Sequence, residues 1–141
     1  MLGYADPDTP PHYLPPDVDD VILGQTLRLA LKASKKVSVE EFQKIFHSGI
    51  VQRLAKDREV WAMEHYGYKT KRAMYKNMMG CSIEILEGKI EIQPNHHKGM
   101  GNFTGISNDG SEILHLPATC TYAELGAALR EGFRRCTSSV K

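Results

Sequence analysis

The sequence predicts an α+β fold: an antiparallel sheet of about four strands, arranged as a meander, packed against N-terminal helices and a C-terminal helix. Three observations predict it. Apolar residues recur with helical spacing from residue 17 to about residue 66, the pattern turns to alternation near Tyr68, and helical spacing returns after a capping motif at Thr121. The connections between the alternating runs are of hairpin length, which forces antiparallel pairing. A chain of 141 residues is large enough to bury one core and calls for no second domain.

Residues 1–16 contain five of the seven prolines, at positions 7, 10, 11, 15 and 16. This segment is expected to be an extended arm, neither helical nor a continuous source of sheet donors, with Tyr4, Tyr13 and Leu14 available to pin it to a single domain spanning 17–141. Pro16-Asp17 opens the first helix. Asp17 is its expected cap, Asp19 and Asp20 occupy the first turn where carboxylates favour the helix dipole, and Lys35 and Lys36 close it. Ile22, Leu23, Leu27, Ala30 and Leu31 make the expected buried stripe. Ser38-Val39-Glu40-Glu41 reads as a capping box for a short helix through His47, with Phe42, Ile45 and Phe46 on one side. After Ser48-Gly49, a longer helix from about Ile50 aligns Ile50, Leu54 and Trp61 beside Val51, Ala55 and Ala62, and Gly67 ends it in a left-handed turn.

Residues 68–78 are then expected as the first strand, with Thr70, Arg72, Met74, Lys76 and Met78 on one side and Lys69, Lys71, Ala73, Tyr75 and Asn77 on the other. Cys81, Ile83 and Ile85 share one face, Ile90 and Ile92 share another, and Glu87-Gly88 between them is a tight hairpin turn. A Gly-rich loop over 96–110 leads to a fourth strand over 112–116, stopped by Pro117. Thr121-Tyr122-Ala123-Glu124 is a second capping box. It starts a helix with Tyr122, Leu125, Leu129, Phe133 and Cys136 on its inner face, and Gly126 permits close helix packing.

The charge is near balance, 18 basic against 17 acidic residues, so the overall field does not demand a polyanion. Its distribution is polarised. Residues 1–20 hold Asp6, Asp8, Asp17, Asp19 and Asp20 with no Lys or Arg, which leaves the remainder at +6 against a total of +1. Three widely spaced cysteines without a C-x-x-C pair fit reduced thiols in a cytoplasmic protein, and the sequence shows neither a secretory leader nor a membrane-spanning run. The basic run Lys69 to Lys76, with Tyr66, Tyr68 and Tyr75 interleaved, suits a single-stranded nucleic-acid-binding module. Against that stand the modest net charge and the ordinary use of edge lysines to discourage strand pairing. His96, His97, His115 and Cys120 lack the tight spacing of a zinc site, so no metal or cofactor is expected. The sequence contains no nucleophile elbow, phosphate loop or H-E-x-x-H motif, and catalysis is not expected.

The stretch 67–78, followed by Cys81 to His97 with Pro94-Asn95-His96-His97-Lys98, and then Glu124-Leu125-Gly126-Ala127-Ala128-Leu129-Arg130 with Cys136, resembles the immunity proteins of bacterial contact-dependent growth inhibition systems. The likeness covers most of the chain beyond Asp20. It departs from the family's pattern at Gly99-Met100-Gly101-Asn102, where a bulkier, Trp-containing segment is usual. The resemblance implies a non-enzymatic cytoplasmic protein that binds the C-terminal toxin domain of a large secreted effector, with a nuclease as the expected toxin and occlusion as the mechanism. It implies a monomer or a 1:1 heterodimer with the toxin, and no membrane partner. On this reading Asp17, Asp19 and Asp20 mimic phosphate before a basic active site, and Lys69, Lys71 and Arg72 touch the same partner.

Overall fold

The computed structural model describes residues 2–5 and 11–140. The elements run β1 (Leu2–Ala5), α1 (Asp20–Ala33), β2 (Ser34–Val37), α2 (Val39–His47), α3 (Ile50–Tyr66), α4 (Lys71–Tyr75), β3 (Cys81–Leu86), β4 (Lys89–Gly99), β5 (Asn102–Gly105), β6 (Leu114–Pro117), α5 (Tyr122–Arg135) and β7 (Thr137–Ser138).

The 11-residue strand β4 is the axis of the main sheet. Its first half is flanked by β3 on one side and β6 on the other, both antiparallel, with Ile92 opposite Ile83 and Leu114. Its second half is flanked by β5, antiparallel, and by the short β7, parallel at His96 and His97. Ile90 and Ile92 are completely buried beneath Leu125 and Leu129 of α5, and Leu23 and Leu27 of α1 close the layer from above. Full burial of each such aliphatic side chain contributes about 1.5–3 kcal/mol.

Helices α1 and α5 cross backbone to backbone. A Cβ on Gly24 would overlap the carbonyl oxygen of Tyr122, and a Cβ on Gly126 would overlap that of Asp20. Two glycines, one from each helix, therefore set the crossing, and Gly126 has the packing role its sequence position suggested. Arg130 ties the start of α1 to this joint through an ion pair with Asp20 at 2.7 Å and hydrogen bonds to the carbonyl oxygens of Pro16 and Val18.

Several expectations are met in local detail. Ser38 caps α2 by accepting from the Glu41 amide, and Thr121 and Glu124 form a reciprocal capping box on α5. Gly67 ends α3 at φ 73°, and Glu87-Gly88 turns the β3–β4 hairpin with both φ values positive.

Others need correction. The most consequential concerns residues 68–78, which are not a strand. Thr70 accepts a hydrogen bond from the Ala73 amide at 3.1 Å and caps the short helix α4, while Met74 is buried. Alternating side chains can equally be read as one helical turn when the run is short, and the Thr cap decides it. The cap of α1 is Asp19, whose Oδ1 accepts from the Ile22 amide at 2.8 Å, rather than Asp17. Ile22 is exposed on the outer side of α1. Lys35 and Lys36 do not close α1: they pair with β1 as part of β2. That pairing also overturns the expectation that the arm supplies no continuous strand, since residues 2–5 precede every proline. The sheet has five strands rather than four, because the presumed Gly-rich loop contributes the end of β4 and all of β5, and the segment after α5 adds β7.

Candidate partner-binding surface

Helix α3 buries no residue. Its line of Ile50, Leu54 and Trp61 is only half-buried, so the outer layer is held by aromatic stacking and polar links rather than by a core. Trp61 lies between two rings: Tyr13 of the arm stacks on it at 3.6 Å between centroids, and His65, one turn on, stacks at 4.4 Å. Tyr66 meets Trp61 and His65 edge-on, and Tyr68 follows at 6.5 Å from Tyr66. The arm is thus pinned at Tyr13, as its sequence suggested. Tyr66 and Tyr68 remain 56% and 41% exposed. Aromatic rings of this kind present large contact area at low entropic cost and are enriched at protein interfaces.

The basic residues Lys69, Lys71 and Arg72 sit around the start of α4, directly beyond Tyr68. They do not act alike. Lys71 pairs with Glu59 of α3 at 3.1 Å, and Tyr75 donates to the other Glu59 oxygen at 2.6 Å, so these two residues fasten α4 onto α3. The Tyr75 hydroxyl and then Lys71 hold the Glu59 carboxyl below the usual carboxylate range. Burial, then the bond to Glu59, pushes Tyr75 up to about 12. Lys69 and Arg72 are exposed and form no ion pair with another described residue.

The acidic residues divide in the same way. Asp19 is occupied as a helix cap and Asp20 as the partner of Arg130. Asp17 is exposed at the turn where the Val18 amide donates to Pro15 O at 3.1 Å, on the segment leading away from Tyr13. Among the described residues, Lys69 and Arg72 thus adjoin the aromatic cluster without an ion-pair partner, and Asp17 is exposed four residues beyond the stacked Tyr13. Under the arm, between α1 and the α3–α4 pair, lies a largely apolar cavity of about 640 Å³, lined by Leu14, Leu23, Leu27, Ala62, Met74 and Tyr75 among others.

The histidines are dispersed. His96 bonds to the hydroxyls of Thr137 at 2.7 Å and Ser139 at 2.6 Å, holding the C-terminal segment against β4. His97 points the other way, fully buried against Phe103, with Nε2 accepting from the Gly101 amide at 3.0 Å. His115 faces Glu91 at 3.5 Å, while Cys120 lies beside Arg28. Among the described residues, no three His, Cys, Asp or Glu side chains are grouped as metal ligands.

A sequence profile of the family described as CdiI, CDI immunity protein, matches residues 1–136. The chain belongs to this family. It is 32% identical over 137 residues to the immunity protein CdiI-YPIII of Yersinia pseudotuberculosis serotype O:3, strain YPIII, an alignment covering 89% of this chain and 77% of that protein. Its fold is similar to a Neisseria meningitidis protein of unknown function, with a TM-score of 0.83, 31% identity, and coverage of 93% and 79% of the two chains. It is also similar to a chain of the CdiA-CT/CdiI toxin and immunity complex from Yersinia pseudotuberculosis, with a TM-score of 0.78, 27% identity, and coverage of 89% and 79%. The resemblance read from the sequence motifs is therefore met by family membership. Within this CdiI chain, no helix among the described residues is long and apolar enough to cross a membrane.

Sequence reasoning missed two contributors to this surface. The clip of Tyr13 on Trp61 was visible only as separate aromatics. The Trp61, His65 and Tyr66 spacing does mark an aromatic edge at the end of a helix, and that signal was available. Arg130, which fixes the arm's exit from a distance of 110 residues along the chain, left no local trace.

Proposed function

We propose that this chain binds the C-terminal toxin domain of its cognate contact-dependent growth inhibition effector and neutralises it stoichiometrically, as a 1:1 complex. The observation that carries the reading is the family match over residues 1–136, supported by the likeness to a chain of a toxin and immunity complex. The toxin is a nuclease, the site of action is the cytoplasm, and neutralisation proceeds by occlusion rather than by catalysis. Occlusion needs a rigid scaffold and a complementary surface only. Arm and body act as one unit, since Tyr13 and Pro16 are tied to α3 and α5.

On this reading Tyr66 and Tyr68 are the central contacts, Lys69 and Arg72 flank them, and Asp17 faces the toxin's basic substrate groove. Lys71, Asp19 and Asp20 support the surface from behind. The reading as a nucleic-acid module loses ground because the basic run is not a strand and one of its lysines is neutralised by Glu59. Co-expression with the neighbouring toxin domain tests the proposal: growth is restored and the two chains co-purify in equal amounts. Failure on both counts contradicts it.

A further inference from the structure

Cys81, the first residue of β3, and Cys136, the C-cap of α5, are 55 positions apart and face each other with their sulfurs 3.7 Å apart. Both are free and half-buried, whereas Cys120 is buried elsewhere, beside Arg28. Their surroundings hold the pair in place. Cys136 Sγ lies 3.4 Å from the carbonyl oxygens of both Gly80 and Gly132. Gly132 leaves the space above Cys81 open, since a Cβ there would stand 3.3 Å from its sulfur. A disulfide needs Cβ atoms about 3.8 Å apart and sulfurs about 2.05 Å apart. The two sulfurs are already in van der Waals contact at 3.7 Å, so the remaining gap to a bond is under about 2 Å.

We propose that Cys81 and Cys136 are a disulfide-forming pair, a covalent modification site oxidised by small-molecule disulfides such as glutathione disulfide, whose bond staples β3 to the C-terminal end of α5. The inference goes beyond toxin binding and does not depend on it. Cys136 attacks first: its thiol gives a proton to solvent, its sulfur bonds to one glutathione sulfur, and the other glutathione leaves as thiolate. Cys81 then loses its proton and attacks the Cys136 sulfur, expelling the second glutathione. Two protein thiols and one glutathione disulfide become one protein disulfide and two glutathiones, with two electrons passing to the oxidant. Burial, then the neighbouring Cys136, pushes the Cys81 thiol up to about 12. Cys81 is therefore a poor first nucleophile towards an external disulfide, and it closes the bond because Cys136 is already in contact.

The resulting loop encloses β3 to β6 and α5 and leaves only β7 of the main sheet outside, so the bond restricts the unfolded chain strongly. The test treats the full chain with glutathione disulfide at alkaline pH, quenches exchange with acid, unfolds the protein in guanidinium chloride so that buried Cys120 is exposed, blocks remaining thiols with N-ethylmaleimide, and maps peptides by mass. The expected product has lost two hydrogens, carries one N-ethylmaleimide on Cys120, and joins the Cys81 and Cys136 peptides. Its Tm rises by ~5 °C or more and falls back on reduction. Cys136→Ser and Cys81→Ser yield no internal cross-link, and the wild-type peptide map stands alone if either variant fails to fold. Three N-ethylmaleimide adducts after prolonged oxidation, a cross-link through Cys120, or an oxidised chain no more stable than the reduced one overturns the proposal.

Discussion

The joint of α1, α5 and β4 and the outer layer of α2, α3 and α4 are built on opposite terms. In the first, two helices touch through their backbones at Gly24 and Gly126, and Ile90, Ile92 and Leu125 are fully buried. In the second, neither α2 nor α3 buries a residue, and α3 is fastened by the Tyr13–Trp61 stack and the Glu59 links to Lys71 and Tyr75. The difference separates the part that fixes the fold from the part free to vary, which is where the proposed toxin contacts lie. A closely packed joint tolerates almost no change, whereas a layer held by a few polar and aromatic links exposes rings and charges that can vary with the partner.

That contrast is tested first where it should be sharpest. Ile92→Ala is expected to cost about 4 kcal/mol through lost burial and a cavity under α5, read from urea unfolding. Gly126→Ala is expected to cost about 3 kcal/mol despite its better helix propensity, because the added methyl forces α5 off Asp20. Combining it with Gly24→Ala should cost less than the sum of the two, since either change already parts the same helices. A loss below 0.5 kcal/mol for Gly126→Ala would remove the distinction between the two regions. Arg130→Ala should cost about 1.5 kcal/mol and increase proteolysis within residues 14–20, as it deletes the charged donor to Pro16, Val18 and Asp20.

In the outer layer the effects shrink and become pH-dependent. Tyr75→Phe should cost about 1 kcal/mol near neutrality. Glu59 has a lowered pKa, so its contribution is complete above the unfolded value of about 4.3 and is lost as pH falls through the folded one. Tyr75 is raised to about 12, so its contribution is complete below about 10 and disappears as pH rises towards the folded value. The Tm gap between wild type and Tyr75→Phe should therefore be constant from pH 6 to 9 and narrow at both extremes. Tyr66→Ala should cost about 0.5–1 kcal/mol through its edge contacts with Trp61 and His65, and smallest of all, Arg72→Ala should change stability by less than about 0.5 kcal/mol, because its side chain is exposed.

Much of the joint was legible in the sequence, because its determinants are local or periodic. The Ile90-x-Ile92 alternation, the Thr121–Glu124 box and Gly126 each announce their role within a few residues. The outer layer was less legible. Residues 68–78 combine alternation with a Thr cap over a span too short for periodicity to separate strand from helix, and tertiary contact at Met74 and Tyr75 settles the matter. Among the candidate site residues, the sequence singled out Lys69, Lys71 and Arg72 but gave no hint that Glu59, on the preceding helix, pairs with Lys71. The same holds for Asp19 and Asp20, whose partners are an amide three residues on and an arginine 110 residues away. β5 and β7 escaped detection because they are 4 and 2 residues long and owe their form to β4.

The central claim is that the joint carries the fold and the aromatic and charged outer surface carries recognition of a toxin domain. Isothermal titration of the wild-type chain and of a Tyr66→Ala, Arg72→Ala double variant with the catalytically inactivated cognate toxin domain tests it most directly. The account predicts saturable 1:1 binding by the wild type and an affinity at least ~10-fold weaker for the variant, a loss of about 1.4 kcal/mol or more, while the variant remains fully folded at the temperature of titration. Absence of wild-type binding, or a variant that binds with undiminished affinity, would contradict it.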